Sequence, residues 1–551
     1  MKLWTKIAVG ASIVLVLAAV AIFALQVGMP DAPDTADLSL PHLPVADSAS
    51  PADSEHEMVP AAGLVSESVD KPVGVRQPLP APRGKFARDE IIPGEFVLRF
   101  DADSDRRAFE IYARAHGIRV LDHLAFGNML RVRVPNAKTL KAMLKNAPVT
   151  VDWAPNVMVR VPENQPKPLE PDGSYVAFGS RVLSWMGVQD SSGWGKGVTV
   201  AVLDSGVDAG ALSSAAVDSL NLTDDAVSGG SHGTAVASIV LGGSDDFAGI
   251  APDAKLLSIK VISDQGSGDA FTLAKGIVEA VDRGAKIINM SVASRSDSFA
   301  VREAVEYAAQ HGVLMVSSVG NDAVEGVRYP AAYPEVMGVA AVDYNSKHAY
   351  FSNRGDEVDI AAPGIGVAAS AQNGETELFS GTSAAAPIVA GAAAAVWSDD
   401  PELSAADVRE LLLKYSDDAG APGDDPDYGA GTIDLGRIKE RDQAQIYDMV
   451  AIAPHVVQNG GVLHVDVAAQ NRGTEVFDAV EFLVVFGMDE QHLQFYNIAP
   501  GDTVYKSFEF ALQDFDGVDF RFYVQPIGAS DVTPGNNGMH MHISPKIPSD
   551  N

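Results

Sequence analysis

The chain has 551 residues, with 40 Lys or Arg against 73 Asp or Glu, a formal net charge of −33 and no cysteine. That balance argues against a nucleic-acid binder, which needs a basic face. The missing cysteine removes disulfides, thiolate nucleophiles and Cys-ligated zinc. The length suits about three or four domains, and the 46% hydrophobic content can supply a large core.

Residues 7–28 carry no charge and follow Lys2 and Lys6. About 20 such residues span a bilayer as a helix, so 7–28 read as a signal-anchor. The A-x-A pattern at Ala19-Val20-Ala21 allows a cleaved signal peptide instead. Either way the remainder is exported to the cell envelope, periplasm or exterior. Residues 29–85 contain ten prolines and few large apolar residues, which predicts a flexible linker. From 86 the texture changes. EFVLRF at 95–100 alternates as a strand, 106–116 reads as a helix, 118–121 and 129–134 as strands, 137–144 as a helix and 149–153 as a last strand. That order is ferredoxin-like. The segment 86–162 holds 12 Lys or Arg against nine Asp or Glu, the reverse of the whole chain. It could dock on an acidic neighbour or stand alone.

Three prolines at 164–173 mark a boundary. Over 174–437 apolar strands at 198–203, 256–261, 287–290 and 313–317 alternate with helices at 232–241, 270–282 and 299–310. Such alternation predicts a parallel sheet with helices on both faces, its active site at the C-terminal strand ends. From 442 to 551 the pattern changes to strands at 462–468, 479–486, 503–510 and 519–525, parted by turn signals such as Asn459-Gly460. This predicts an all-β sandwich.

Four residues stand at the places where such a sheet puts chemistry. Asp204 follows the strand 198–203, His232 opens a helix, Asn321 ends the turn after 313–317, and Ser383 starts the alanine-rich segment FSGTSAAAPIVAG at 379–391. Singly each has a structural reading: a turn acid, a helix-start neighbour, a loop amide, a cap serine on a core helix. Together they supply an acid, a base, an oxyanion donor and a nucleophile for acyl transfer. A hydroxyl at a helix start also has its own backbone N–H beside it.

The segments VTVAVLDSGVD, SHGTAVASIVLG, IINMSVAS, SSVGND and FSGTSAAAPIVAG resemble the motifs of the subtilisin-like serine proteases, the subtilases, over about 174–437. The resemblance implies an α/β fold with a subtilisin-like parallel sheet and a serine endopeptidase. Asp204 would orient His232, His232 would act as base, Ser383 would attack, and Asn321 with the Ser383 N–H would hold the oxyanion. Ser291-Val292-Ala293 and Ser318-Val319-Gly320 would line the cleft, where substrate backbone adds as a strand. The segment 86–162, ending in VDWAPN, is similar to the inhibitory propeptides of the family. It implies an autoprocessed precursor cut between about 161 and 173, with the prodomain as intramolecular inhibitor and polypeptides as substrates. The 442–551 segment looks like an adhesion-type bacterial sandwich. Ala293 stands where the family usually has Gly, and Ala384-Ala385 and Ile388 replace a usual Met-Ala and His.

Other readings compete. Gly229-Gly230-Ser231-His232-Gly233 fits the G-x-S-x-G nucleophile elbow of esterases, but 223–228 is too polar for the strand that should precede it. A catalytically silent binding protein on a subtilase fold is the second alternative. The chemistry needs no cofactor; Asp264, Asp269 and Asp245-Asp246 read as solvated loop acids, with a structural calcium as the alternative, and His540-Met541-His542 reads as an alternating surface strand with metal as the alternative. Asp322 beside Asn321 reads first as a solvated loop acid; the alternative is that it favours a basic residue before the scissile bond. A histidine base has an ordinary pKa of about 6.5, so activity should fall in acid; a flat profile between about pH 5 and pH 8 would remove His232 from that role.

Overall fold

The computed structural model describes residues 87–162, 175–213, 217–226, 229–243, 247–459, 461–511 and 517–543. The apolar run at 7–28, the linker at 29–85, the boundary at 164–173 and Asp245-Asp246 lie outside them. Among the described residues no helix is long and apolar enough to cross a membrane.

The first unit is a ferredoxin-like α+β fold. Strands Ile91–Arg99, Arg119–Leu124, Met129–Arg133 and Asp152–Arg160 are joined through helices Asp103–His116 and Ala137–Leu144. Met129–Arg133 and Asp152–Arg160 flank Ile91–Arg99 antiparallel, and Arg119–Leu124 is the outer strand. The Asp103–His116 helix starts with Asp103 and Asp105 and ends with Arg114 and His116, each sign placed to suit the helix dipole. It stops at Gly117, whose φ of 73° is a left-handed cap. Phe109 and Leu140 from the helices pack on Phe96, Leu98, Leu130 and Val132 from one sheet face.

The last strand departs from the expected 149–153: it runs Asp152–Arg160. Its extra length is explained by what it touches. Met158, Val159 and Arg160 pair antiparallel with Asp269, Gly268 and Ser267, far along the chain. The other sheet face presents Val97, Ala154, Val157 and Val159 to a core shared with Phe271, Leu273 and Val301. The unit is thus docked, not independent.

The central unit carries a seven-stranded parallel sheet in the order Ile360–Pro363, Val336–Val342, Leu314–Ser318, Ile287–Met290, Thr199–Asp204, Lys255–Lys260, Val217–Asn221. Its inner strands are apolar on both faces because helices cover both. Ser231–Leu241 and Thr382–Asp399 pack on one side, Ala270–Asp282 and Phe299–Gln310 on the other. The strands at 217–221, 336–342 and 360–363 went unread in the sequence. Val217–Asn221 is a half-exposed edge, so VDSLN lacks a buried pattern.

The C-terminal segment is a sandwich of two antiparallel sheets. One orders Met449–Asn459, Val462–Asn471 and Thr503–Ala511; the other orders Asp489–Ile498, Phe477–Phe486, Val518–Ile527 and Gly538–Ile543. Phe477, Phe482, Phe520 and Phe522 fill the space between them. Two of these strands, Met449–Asn459 and Asp489–Ile498, were not expected. Asp489–Ile498, for example, is an exposed edge whose DEQH start hides its strand character.

A buried polar seam joins the sandwich to the central unit. Arg437 donates to the carbonyls of Ser416 at 2.7 Å, Tyr415 at 3.2 Å and Asn471 at 3.3 Å. Gln470 bridges back, its Nε2 to the Ser416 carbonyl at 3.0 Å and its Oε1 accepting from Asp418 N at 3.1 Å. Burial pushes the Asp418 carboxyl up to about 6, and its Oδ1 has no partner among the described residues. Burial and then the neighbouring Asp417 push Asp434 up to about 7. A carboxyl raised by folding contributes stability below its ordinary value, lost as pH rises through the folded value. Unfolding monitored by heat should therefore give a lower Tm at pH 8 than at pH 5. Asp418→Asn should raise the pH 8 value, by an amount equivalent to about 1–3 kcal/mol, and flatten the dependence. A variant less stable than wild type at pH 8 would contradict this account of the seam.

Candidate active site

Asp204 is the last residue of its strand and fully buried. Its Oδ1 accepts from Ser205 N at 2.6 Å and lies 2.9 Å from His232 Nδ1, with Oδ2 at 3.0 Å. The contact fixes the imidazole with Nδ1 towards the acid and leaves Nε2 pointing elsewhere. His232 is the second residue of the Ser231–Leu241 helix, and glycines let that helix start approach the strand end. A Cβ at Gly233 would come within 2.3 Å of the Gly206 carbonyl, and one at Gly230 within 2.3 Å of Ser205 Oγ. Thr234 reinforces the approach: its Oγ1 donates to the Gly230 carbonyl at 2.7 Å and accepts from Asp208 N at 2.9 Å. Phe379 closes on the imidazole edge-on, 5.3 Å between centroids.

Ser383 is the second residue of the Thr382–Asp399 helix, which is buried from Thr382 to Trp397. Pro387 sits four residues on and lacks an N–H, so it cannot donate to the Ser383 carbonyl. Ser291 Oγ supplies that bond at 3.1 Å and is itself held by Asn289 Nδ2 at 3.1 Å. Asn321 is oriented from the same helix start: its Oδ1 accepts from Thr382 N at 2.9 Å and Thr382 Oγ1 at 2.8 Å. Gly381 has a φ of 141°, and the position a Cβ would take there lies 2.9 Å from Asn321 Nδ2 and 3.6 Å from Ser383 N. Two donors thus converge on one small hollow. His232 Nε2 and Ser383 Oγ are buried with no hydrogen-bond partner among the described residues. Unspent polar atoms of this kind are what acyl transfer engages.

The cleft residues divide by position. Ser291 and Val292 are wholly buried, whereas Ala293 is half-buried and its backbone pairs both ways with Arg160, at 2.8 and 3.0 Å. Val161 N also donates to the Gly266 carbonyl at 3.3 Å. The tail of the first unit therefore lies as a strand between Ser267–Asp269 and Ala293. Ser318 and Val319 are wholly buried. The Val319 carbonyl accepts from Arg328 N at 3.0 Å, and the Gly320 carbonyl from Asn353 N at 3.0 Å. A Cβ at Gly320, where φ is 107°, would strike Asn353 and Arg328. Ser205, Thr382, Phe379 and the Gly266 edge were missed in the sequence. Only the small-residue GSG at 266–268 gave a signal.

The other candidates lie elsewhere. Ser231 is exposed at the helix start, while His232 turns its Nδ1 to Asp204. Asp264 is ion-paired with Lys260, and Asp269 caps the Ala270–Asp282 helix through Phe271 N and Thr272 N. Among the described residues no group of three or more His, Asp or Glu could hold a metal ion. His542 contacts Asp519 at 2.9 Å on the exposed sandwich face. Asp322 pairs with Arg328 at 2.8 Å.

Comparison with known proteins bears on this arrangement. The profile described as "Subtilase family" matches residues 195–431. A thermostable alkaline protease of Halalkalibacterium halodurans is 38% identical over 250 residues, covering 44% of this chain and 68% of that protein. Subtilisin DY of Bacillus licheniformis is 36% identical over 274 residues, 47% of this chain and 97% of that protein. The chain belongs to the subtilase family. Subtilases are serine-type endopeptidases, and this chain is one. In fold, fervidolysin of Fervidobacterium pennivorans, described as a keratinolytic enzyme related to subtilisin, aligns with TM-score 0.57 at 18% identity, over 83% of this chain and 92% of that one. Gly381→Ala should place a methyl between the two converging donors of this subtilase. We expect kcat/KM on a peptide substrate to drop about 10²-fold while far-UV circular dichroism stays unchanged. An active Gly381→Ala enzyme would show that the hollow takes no part in the reaction.

Proposed function

We propose that this subtilase is made as an exported precursor and that Ser383, His232 and Asp204 carry out the cleavage. The supporting observation is the strand formed by its own tail. Arg160 pairs with Ala293 as a substrate backbone would, two residues past Ser291, whose Oγ holds the Ser383 carbonyl.

In this reading Ser383 Oγ attacks the scissile carbonyl carbon and gives its proton to His232 Nε2. Asp204 holds the ring and stabilises the imidazolium. The carbonyl oxygen, now negative, sits in the hollow between Asn321 Nδ2 and Ser383 N. The C–N bond breaks, His232 returns the proton to the leaving amine, and an acyl-enzyme remains. Water then attacks that ester, passing its proton to His232. The carboxylate product leaves and Ser383 Oγ recovers the proton. The same groups serve both halves because each returns to its starting state.

Residues 86–162 then act as propeptide, folding aid and inhibitor. The tail fills the groove, and the sheet covers helices Ala270–Asp282 and Phe299–Gln310. Charge pairs of both signs hold it there, including Arg131 with Asp269 at 2.9 Å and Asp122 with Lys275 at 2.8 Å. Residues 7–28 serve as signal peptide or anchor, and processing falls between about 161 and 173.

The test is expression of residues 29–551 as wild type, Ser383→Ala and Asn321→Ala, with mass spectrometry and peptide hydrolysis on each. Wild type should cut itself at 161–173 and digest the peptide. Ser383→Ala should stay full length and lose on the order of 10⁴-fold or more in activity. Asn321→Ala should lose about 10²–10³-fold in kcat. Self-cleavage by Ser383→Ala would rule out the assignment.

A further inference from the structure

The propeptide reading leaves one contact unexplained by the groove itself. Glu90 is buried at 7% exposure, yet it sits in the turn just before the Ile91–Arg99 strand and not in the tail. Its carboxylate enters a pocket made by three consecutive residues of the central unit. Ser296 Oγ donates to Oε2 at 2.7 Å and Ser294 Oγ at 3.2 Å. Arg295 N donates to Oε1 at 2.9 Å, and Arg295 Nε to Oε1 at 3.3 Å. Two hydroxyls, a backbone N–H and a guanidinium around one carboxylate form a built anion site, of the charge-assisted kind that binds most firmly.

The pocket is braced from within the central unit. Ser294 pairs both ways with Tyr329 at 2.9 Å, and Ser296 N donates to Ser294 Oγ at 3.1 Å. The nearby acid, Asp297, is engaged by Arg302 and by Tyr333 Oη. Arg295 forms ion pairs with Asp89 and Glu90, both carried by the first unit. When that unit leaves, the pocket keeps its donors and loses both carboxylates.

Its place relative to a substrate follows from the strand register. Arg160 makes an antiparallel bridge with Ala293, and Met158 lies two residues upstream of it on the same strand. Met158 N donates to the Glu90 carbonyl at 2.7 Å, which puts Glu90 beside that position. We propose that the Ser294-Arg295-Ser296 pocket is a carboxylate subsite of the mature protease. In the precursor Glu90 occupies it. In the mature enzyme an acidic side chain of the substrate takes it, from about two residues before the one that pairs with Ala293. This rests on the propeptide reading and names a substrate class for it: polypeptides with Asp or Glu upstream of the cleaved bond.

The test uses the self-processed enzyme and paired fluorogenic peptides, identical but for Glu or Gln at each of six upstream positions in turn, with cleavage sites fixed by mass spectrometry. Wild type should prefer Glu over Gln by about tenfold in kcat/KM at one upstream position, mainly through KM. In Arg295→Gln and in Ser296→Ala the Glu-to-Gln ratio should fall towards one. A wild-type ratio of one at every position, with both peptides cleaved, overturns the subsite and leaves the protease standing. A wild-type preference unchanged in both variants places acid recognition elsewhere and also overturns it. Failure of wild type to cleave any peptide removes the propeptide and protease assignments, and the subsite with them.

Discussion

The Asp204 carboxylate meets the His232 ring at two oxygens because glycines allow a helix start to press on the turn that ends a buried strand. A methyl at Gly230 or Gly233 would meet the Ser205-Gly206 turn at 2.3 Å, so the helix start would have to move away from it. The parallel sheet supplies the other half of the constraint. Its strands end on one edge, so Asp204, the Ser291 segment and Asn321 are delivered side by side from positions far apart in the chain. The Thr382–Asp399 helix then brings Ser383 to the same edge. It crosses the core with alanine and glycine alone over much of its length, and a Cβ at Gly391 would meet Ile250 at 2.7 Å.

The serine's surroundings depend on an interrupted helix. Pro387 withholds one N–H from the first turn, and the Ser383 carbonyl is satisfied from outside by Ser291. Ser383, the proposed nucleophile, is therefore tied to the strand end whose continuation, Ala293, pairs with Arg160. Positioning of the hydroxyl and positioning of the bound strand share one support, so a shift in either is felt by the other.

The same logic of borrowed partners runs through the whole chain. The first unit completes its sheet with Ser267–Asp269 and closes its second core against two helices of the central unit. The sandwich is held by Arg437, Gln470 and a set of buried acids, a seam that burial makes sensitive to pH. In each case polar groups are satisfied across a boundary between units, which makes the boundary specific.

The sequence by itself determined the family, the α/β sheet and the flanking ferredoxin-like and sandwich units, and it singled out Asp204, His232, Asn321 and Ser383 as the proposed set. Those features are local: buried parallel strands read as apolar runs, and the site residues sit in short motifs next to them. Most helix limits, such as 270–282 and 299–310, were legible for the same reason. Tertiary structure alone decided the rest. The strand at 152–160 takes its length from a partner more than 100 residues away. Edge strands such as Val217–Asn221 and Asp489–Ile498 have polar exposed faces and so no pattern to read. The roles of Ser291 as a support, Gly381 as the wall of a donor pocket and Glu90 as a guest of Ser294-Arg295-Ser296 depend on distances between segments. One-dimensional order does not contain such distances until the chain has closed on itself.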